Sequence, residues 1–181
     1  QMGALIAELK ADSGDVDSAE PNDVVALGPV VPASAPDATA GLGGVNDPHA
    51  GEQWGLVAID GEAALKRLGK LKPKKVALVA IADTGVESSH EDLGAIFVES
   101  PGNKDEQGHG THCAGIAGAG ANNGIGVASL NYEGRFVKVL GFAALGADGS
   151  GSVESVAQAI IDAADAGADV ISLSLGGYHP T

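Results

Sequence analysis

Short runs of apolar residues mark the regular elements of this chain. The clearest run covers residues 76–82, which are all apolar and show no alternation with polar residues. Such a run indicates a strand buried on both faces, as in a parallel sheet covered by helices. Residues 136–140 and 170–175 are further strand candidates, and residues 95–98 are a shorter one.

Segments with helical spacing lie between these runs. Residues 109–119 predict a helix with small side chains, and residues 60–68 predict another. Apolar residues recur at helical spacing from 153 to 164, with Ser152 as the N-cap and Gly167 after the last turn. The order strand, helix, strand, helix, strand predicts an α/β fold with parallel strands and right-handed crossovers. Chemistry in such sheets collects at the carboxyl ends of the strands.

The beginning of the chain differs from this pattern. Residues 2–10 predict the end of a helix, and residues 24–27 predict a short strand. Residues 28–46 are rich in proline, alanine, serine and glycine, which is the composition of a linker. We therefore place a domain boundary near Gly44 and expect the main domain to occupy residues 46–181.

Composition excludes some partners. The 181 residues carry a formal charge of −14 at pH 7, so nucleic acid is not expected to bind, because phosphate contacts need a basic surface. The sequence contains no apolar run of the length that crosses a membrane. The single cysteine, Cys113, cannot form a disulfide within the chain.

The strongest candidate for chemistry is the pair Asp83 and His109. Asp83 follows the long apolar run, and His109 lies between two glycines, which leave room on both sides of its ring. An aspartate behind a histidine orients the ring in a Ser-His-Asp triad. Both residues also have structural interpretations, because aspartate after a strand is commonly a turn residue. A zinc site formed by His109 and His112 is another possibility, although the sequence offers no convincing third ligand.

In its motifs the chain resembles the subtilisin-like serine proteases, the subtilase family. The matching segments are Asp83-Thr84-Gly85, residues 89–93, Gly108-His109-Gly110-Thr111-His112 with Cys113-Ala114-Gly115, and residues 169–177. The resemblance implies a three-layer, parallel-sheet subtilisin-like fold, of which this chain would be the N-terminal portion. It also implies a serine endopeptidase in which His109 is the general base and Asp83 orients it. His112 would then pack into the fold, and Cys113 would be a buried free thiol.

The same resemblance implies two edges that bind a peptide substrate. Residues 145–151 resemble the edge on one side of the peptide, and residues 174–176 resemble the edge on the other. A peptide between two edges is recognised mainly through backbone hydrogen bonds. The implied substrate-binding residues are Gly149, Ser150, Gly151, Ser174, Leu175 and Gly176. Residues 149–151 could also form only a loop that leads into the helix, and both interpretations can hold together.

A structural calcium site is a further expectation from the resemblance. Calcium takes six to eight oxygen ligands, several of them backbone carbonyls. The implied ligands are the side chains of Asp47, Asp92 and Asn123 and the carbonyl groups of Gly120, Ile125 and Val127. The alternative is that residues 122–124 form only a turn.

The two ends of the chain carry the last expectations. Residues 1–27 resemble the end of a subtilase propeptide, which aids folding and then blocks the cleft, and residues 28–45 would be the linker that is cleaved. The family's oxyanion-hole asparagine and nucleophilic serine are expected beyond Thr181, in a C-terminal part or a second chain. The 181 residues alone are therefore not expected to hydrolyse peptides. The family implies secretion and polypeptide substrates, and the competing hypothesis is a non-catalytic α/β interaction module.

Overall fold

The structure is a computed structural model that describes residues 22–28, 42 and 44–177. The helix predicted at residues 2–10 and most of the predicted linker lie outside the described residues. Of the predicted propeptide segment, the described part is residues 22–27.

A parallel sheet forms the centre of the domain. Its strands are β2 (Ala77–Asp83), β5 (Val137–Ala143) and β7 (Val170–Ser172), in the order β5-β2-β7. β2 pairs with both neighbours in parallel register. The prediction of parallel strands is confirmed, and β2 is the central strand because its apolar run can be buried on both faces.

The described residues contain four α-helices. They are α1 (Trp54–Ala58), α2 (Gly61–Leu68), α3 (His109–Gly118) and α4 (Val153–Asp165). Ser152 caps α4 as predicted, because its hydroxyl accepts a hydrogen bond from the backbone N–H of Ser155. A short 3₁₀ turn, Ala50–Glu52, precedes α1. None of these helices has the length and apolar character needed to cross a membrane.

The sheet buries a different apolar cluster on each face. On the α4 face the cluster contains Ala80, Ala82, Leu140, Phe142, Ala144, Ala159 and Ala163. On the α3 face it contains Ile81, Val86, Leu93, Ile96, Ala114 and Val139. Neighbouring residues of β2 contribute to opposite faces, as the side chains of a strand must. The result is the predicted three-layer arrangement, with the sheet between α3 and α4.

A second, antiparallel sheet lies beside this core. Its strands are β1 (Val24–Ala26), β6 (Ser150–Ser152) and β8 (Gly176–Gly177), with β1 in the middle. The strand predicted near the start of the chain therefore exists, and it pairs with residues more than 120 positions away. Two further short strands, β3 (Gly120–Ala121) and β4 (Asn131–Tyr132), pair with each other in parallel.

The strand predicted at residues 95–98 is wrong. These residues belong mainly to a series of turns, and only Phe97 forms an isolated bridge, with Val139. Ile96 is nevertheless buried in the α3-face cluster. The apolar run therefore marks burial against the sheet rather than membership of it.

Candidate active site

Asp83 and His109 are brought together at the carboxyl end of β2. Asp83 is the last residue of the strand and is fully buried, while the His109 side chain, at the first position of α3, remains 30% exposed. Nδ1 of His109 lies 2.7 Å from Oδ1 of Asp83. A ring that donates from Nδ1 to a carboxylate keeps its Nε2 lone pair free to accept a proton.

The approach of α3 to the end of β2 depends on two glycines. A Cβ atom at Gly110 would lie closer than 3.0 Å to the carbonyl oxygen of Gly85 and 3.2 Å from Cβ of Asp83. Gly85 has a φ of +104°, which L side chains rarely adopt. The N–H of Gly110 donates to the Thr84 hydroxyl over 3.0 Å. The two motifs therefore touch through their backbones, and this contact sets the distance between Asp83 and His109.

Asp105 is a part of the site that sequence reasoning missed. Its carboxylate accepts hydrogen bonds from the N–H groups of Gln107, Gly108 and Thr111 and from the Thr111 hydroxyl. Burial opposes its ionisation, but these hydrogen bonds outweigh burial and hold the pKa of Asp105 below its usual value. The signal in the sequence was an aspartate shortly before a helix whose N-cap, Gly108, has no side chain.

Cys113 lies one helical turn after His109. Its Sγ is 3.8 Å from Nδ1 of His109, the nitrogen that already contacts Asp83. Burial raises the pKa of the Cys113 thiol, and this outweighs a hydrogen bond with Ser174 that lowers it, while the carboxylates of Asp83 and Asp105 raise it a little further. A cysteine nucleophile needs the thiolate form. Cys113 is a free thiol as expected, but it is half-buried rather than fully buried, and its raised pKa disfavours a role as nucleophile.

His112 differs from expectation. It was predicted to pack into the fold, but it is exposed, because it lies two helix positions from each of the buried residues Gly110 and Ala114 and therefore faces away from them. Among the described residues, the one group of three potential metal ligands with converging atoms is Asp83, His109 and Cys113, which does not include His112. A zinc site built on His109 and His112 therefore finds no third ligand in the described part of the chain.

The predicted substrate-binding residues lie on either side of β1. Gly151 and Ser150 pair with Val25 and Ala26 on one side, and Gly176 pairs with Ala26 on the other. The carbonyl of Gly149 accepts a hydrogen bond from the N–H of Leu27 over 3.1 Å. Ser174 and Leu175 lie between β7 and β8, and Ser174 is close enough to Cys113 to affect its thiol. The chain's own β1 therefore occupies the space between the two predicted edges.

Two of the predicted calcium ligands, Asp47 and Asp92, contact the loop of residues 122–127. Asp47 accepts the N–H groups of Asn122 and Asn123, and Asp92 accepts that of Val127 over 2.7 Å. Asp47 and Asp92 are both buried. Oδ1 of Asp92 is a buried oxygen that has no hydrogen-bond partner among the described residues. An unpartnered carboxylate oxygen of this kind fits a cation ligand.

The sequence matches a family of known proteins. Residues 74–180 match the model of the peptidase S8 family, described as the subtilase family. Similar proteins include thermitase from Thermoactinomyces vulgaris, 46% identical over 56% of this chain and 38% of the relative. An alkaline protease from Alkalihalobacillus alcalophilus is 44% identical over 71% of this chain and 33% of the relative. The cell wall-associated protease of Bacillus subtilis is 44% identical over 56% of this chain and 12% of the relative.

The chain belongs to the subtilase family. The family match begins just before β2 and includes both Asp83 and His109. The matched part of the chain spans less than half the length of each of these relatives.

Proposed function

We propose that this chain carries the general base and its orienting carboxylate for a serine endopeptidase. The observation behind the proposal is the hydrogen bond of 2.7 Å between Nδ1 of His109 and the buried Oδ1 of Asp83. In this role His109 accepts the proton of a serine hydroxyl at Nε2 and returns it to the leaving amine. Asp83 fixes the ring tautomer and stabilises the imidazolium that forms.

The nucleophile is proposed to lie outside these 181 residues. Among the described residues, no serine hydroxyl is within hydrogen-bond distance of the His109 ring, whose contacts are with Asp83 and Cys113. Ser172 and Ser174 are on or directly after β7 and have no turn that would present them to the ring. The serine and the oxyanion-hole donors would come from a C-terminal part or from a second chain.

Hydrolysis of an internally quenched peptide by the longer product of the same gene tests this proposal. His109→Ala is expected to lower kcat by about 10⁴-fold or more, since the general base is lost. His49→Ala is the control, because it removes an exposed histidine whose ring pairs with the exposed Glu52, and it should leave kcat unchanged. No hydrolysis by the unaltered product, or equal rates with His109→Ala, would contradict the proposal.

The position of β1 supports a propeptide role for the start of the chain. Val25 is 8% exposed while its neighbour Val24 is 64% exposed, so one side chain anchors a strand that is otherwise held by its backbone. Asn22 adds two hydrogen bonds with Glu154, at the start of α4. In this proposal β1 lies where a polypeptide substrate lies, and cleavage within residues 28–45 precedes activity.

Substitutions in β1 separate this role from a purely structural one. A synthetic peptide of residues 18–28 is expected to inhibit hydrolysis by the mature enzyme. Val25→Lys in that peptide should weaken inhibition at least about tenfold, because burying an unpaired lysine is costly. Val24→Lys is the control and should change inhibition little. Equal inhibition by both variant peptides would argue against the proposal.

A structural calcium ion is proposed at the loop of residues 122–127. The unpartnered buried Oδ1 of Asp92 and the buried carboxylate of Asp47 supply the charge that a calcium site needs. Asn123 and the carbonyl groups of Gly120, Ile125 and Val127 would complete it. The ion would stabilise the loop that follows α3 and would take no part in the chemistry.

An apolar groove supports a C-terminal part that completes the fold. The groove has a volume of about 650 Å³, and its lining includes Trp54, Ile59, Ile116 and Leu130, which are all exposed. Exposed apolar surface of this kind marks an interface, and the relatives are more than twice as long as the matched segment. The same surface would serve the competing hypothesis, a non-catalytic interaction module, but the Asp83–His109 geometry favours the enzyme.

Co-purification distinguishes these two uses of the groove. A separately expressed C-terminal segment of the same gene product is expected to bind this chain, and Ile116→Glu should abolish the binding. Ile161→Glu is the control, because Ile161 is an exposed isoleucine on α4 that does not line the groove. Secretion, which the family implies, is proposed with the protease function and is tested by finding the product in the culture medium.

A further inference from the structure

We propose that Asp105 is a positioning residue that holds His109 in register with Asp83. The inference rests on the proposed function, because it assigns Asp105 to the support of the proposed general base. Asp105 itself contacts neither ring nitrogen of His109. It would act through the backbone of the first turn of α3.

The first turn of α3 has backbone donors that the helix cannot satisfy. The first N–H groups of any helix lack partners within it. Here the N-cap is Gly108, which has no side chain and a φ of +99°. The residue that carries the imidazole is the first of the helix, so an unsatisfied or frayed first turn would displace His109 directly.

Three side chains from outside the helix satisfy these donors. Gln107 accepts the N–H of His109 over 2.8 Å, and Thr84 accepts that of Gly110 over 3.0 Å. Asp105 accepts the N–H groups of Gly108 and Thr111 over 2.8 and 2.9 Å. Asp105 is the charged member of this set, and a carboxylate is favoured at the positive end of a helix.

Asp105 also connects α3 to the end of β2. Its Oδ2 accepts the Thr111 hydroxyl over 2.6 Å, and the same hydroxyl accepts the N–H of Glu87 over 3.0 Å. Glu87 follows the Asp83-Thr84-Gly85 turn. The Thr84 hydroxyl also lies beside Asp105 and contributes to its lowered pKa. The aspartate therefore joins the segment that contains Asp83 to the helix that contains His109.

Each oxygen of Asp105 has a separate set of donors. Oδ1 accepts hydrogen bonds from the backbone N–H groups of Gln107 and Gly108, and Oδ2 accepts one from the backbone N–H of Thr111. Asparagine can place an accepting oxygen on one side only, and its NH₂ group would then face an N–H group on the other. Asp105→Asn thus keeps the size of the side chain but replaces one of its two accepting oxygens with a donor.

The test is NMR of the His109 ring in this chain, which needs no serine. The unaltered protein is expected to show a downfield Nδ1–H proton resonance and ¹⁵N shifts of the Nδ1–H tautomer. Asp105→Asn should move the proton resonance upfield or remove it. Asp169→Asn is the matched control. The carboxylate of Asp169 also accepts two hydrogen bonds, one from the ammonium group of Lys75 and one from the backbone N–H of Leu78. This variant should leave the resonance unchanged.

A second pair of variants keeps the test decisive if Asp105→Asn does not fold. Thr111→Val removes the hydroxyl between Asp105 and Glu87 but keeps the backbone N–H, and it should weaken the resonance. Thr111→Ser should restore it. If Asp105→Asn folds, an unchanged resonance in that variant overturns the proposal. If it does not fold, an unchanged resonance in Thr111→Val does so. Absence of the resonance from the unaltered protein also overturns it.

Kinetics of the longer gene product give an independent measure. Asp105→Asn is expected to lower kcat by about 10- to 100-fold with KM unchanged, since a displacement of about 1 Å can cost that much. A rise in KM with constant kcat would contradict a positioning role. If the unaltered product hydrolyses nothing, the proposed function fails, while the NMR comparison still decides the role of Asp105.

Discussion

Substitution of Gly110 by alanine gives the sharpest test of how the site is held. The new Cβ would lie closer than 3.0 Å to the carbonyl oxygen of Gly85 and 3.1 Å from its carbonyl carbon. Backbone atoms cannot rotate away as a flexible side chain can. The turn or the helix must therefore retreat by about 1 Å to reach an ordinary carbon–oxygen separation of about 3.3 Å.

The size of the effect follows from this contact. Overpacking of a tight interior site costs about 1–3 kcal/mol, and alanine gains back at most about 1 kcal/mol over glycine within a helix. A net loss of about 1–2 kcal/mol corresponds to a fall in Tm of about 2–8 °C for a domain of this size. The hydrogen bond between Asp83 and His109 should lengthen, because both residues flank the contact.

Gly115→Ala is the matched control on the same helix. A Cβ at Gly115 would meet only Cγ2 of Val127, at 3.9 Å, which is an ordinary contact. This variant should be as stable as the unaltered chain or more stable, by up to about 1 kcal/mol. Thermal unfolding followed by circular dichroism measures both variants. If Gly110→Ala melts at or above the temperature of Gly115→Ala, the backbone contact does not hold the site.

Four further outcomes follow from individual residues. A chelator should lower Tm by several degrees, because a bound ligand at about 100 times its Kd adds about 2.7 kcal/mol to the free energy of unfolding. Asp92→Asn should remove that response, and equal responses in the two proteins would contradict the calcium site. Iodoacetamide at pH 8 should modify Cys113 more slowly than a free model thiol, since its pKa is raised; a faster reaction would show a thiolate. The lowered pKa of Asp105 adds stability above its unfolded pKa of about 3.9, and this is lost as the pH falls through the folded value. Between pH 5 and 2, acid titration should therefore destabilise the unaltered chain more than Asp105→Asn; an equal loss of stability in both would contradict the lowered pKa. Asn131 is fully buried with four backbone hydrogen bonds, so Asn131→Ala should lose about 3 kcal/mol or more in denaturant titrations. Asn103→Ala is the control and should cost less than about 0.5 kcal/mol, because the partly exposed Asn103 side chain donates one surface hydrogen bond, to Glu99.

Local signals in the sequence predicted the central part of the fold. The run of residues 76–82 indicates a strand buried on both faces, and Asp83, the residue that follows it, lies at the carboxyl end of that strand. His109 follows a glycine N-cap, which fixes the start of α3. Because residues close in sequence mark the end of β2 and the start of α3, the sequence could predict that Asp83 and His109 approach each other.

Non-local contacts escaped this kind of reasoning. The partners of β1 lie more than 120 residues away, and nothing within Val24–Ala26 specifies them. The run at residues 95–98 has the apolar character of a strand, but burial against the sheet explains it equally well. The side chains of Thr84, Asp105 and Gln107 accept hydrogen bonds from the backbone N–H groups at the start of α3. The sequence pattern does not show which N–H group each side chain contacts.

The contacts that hold β1 are separate from the contacts that hold Asp83 and His109, the proposed catalytic pair. The strand is held to β6 and β8 by backbone pairing, with Val25 as its buried side chain. His109 is held from the other direction, by Asp83 and by the acceptors around the first turn of α3. Because the two sets of contacts share no side chain, removal of β1 would vacate the cleft without altering the hydrogen bonds that orient His109. A site supported in this way can be assembled before it is exposed, which is what the proposed maturation requires.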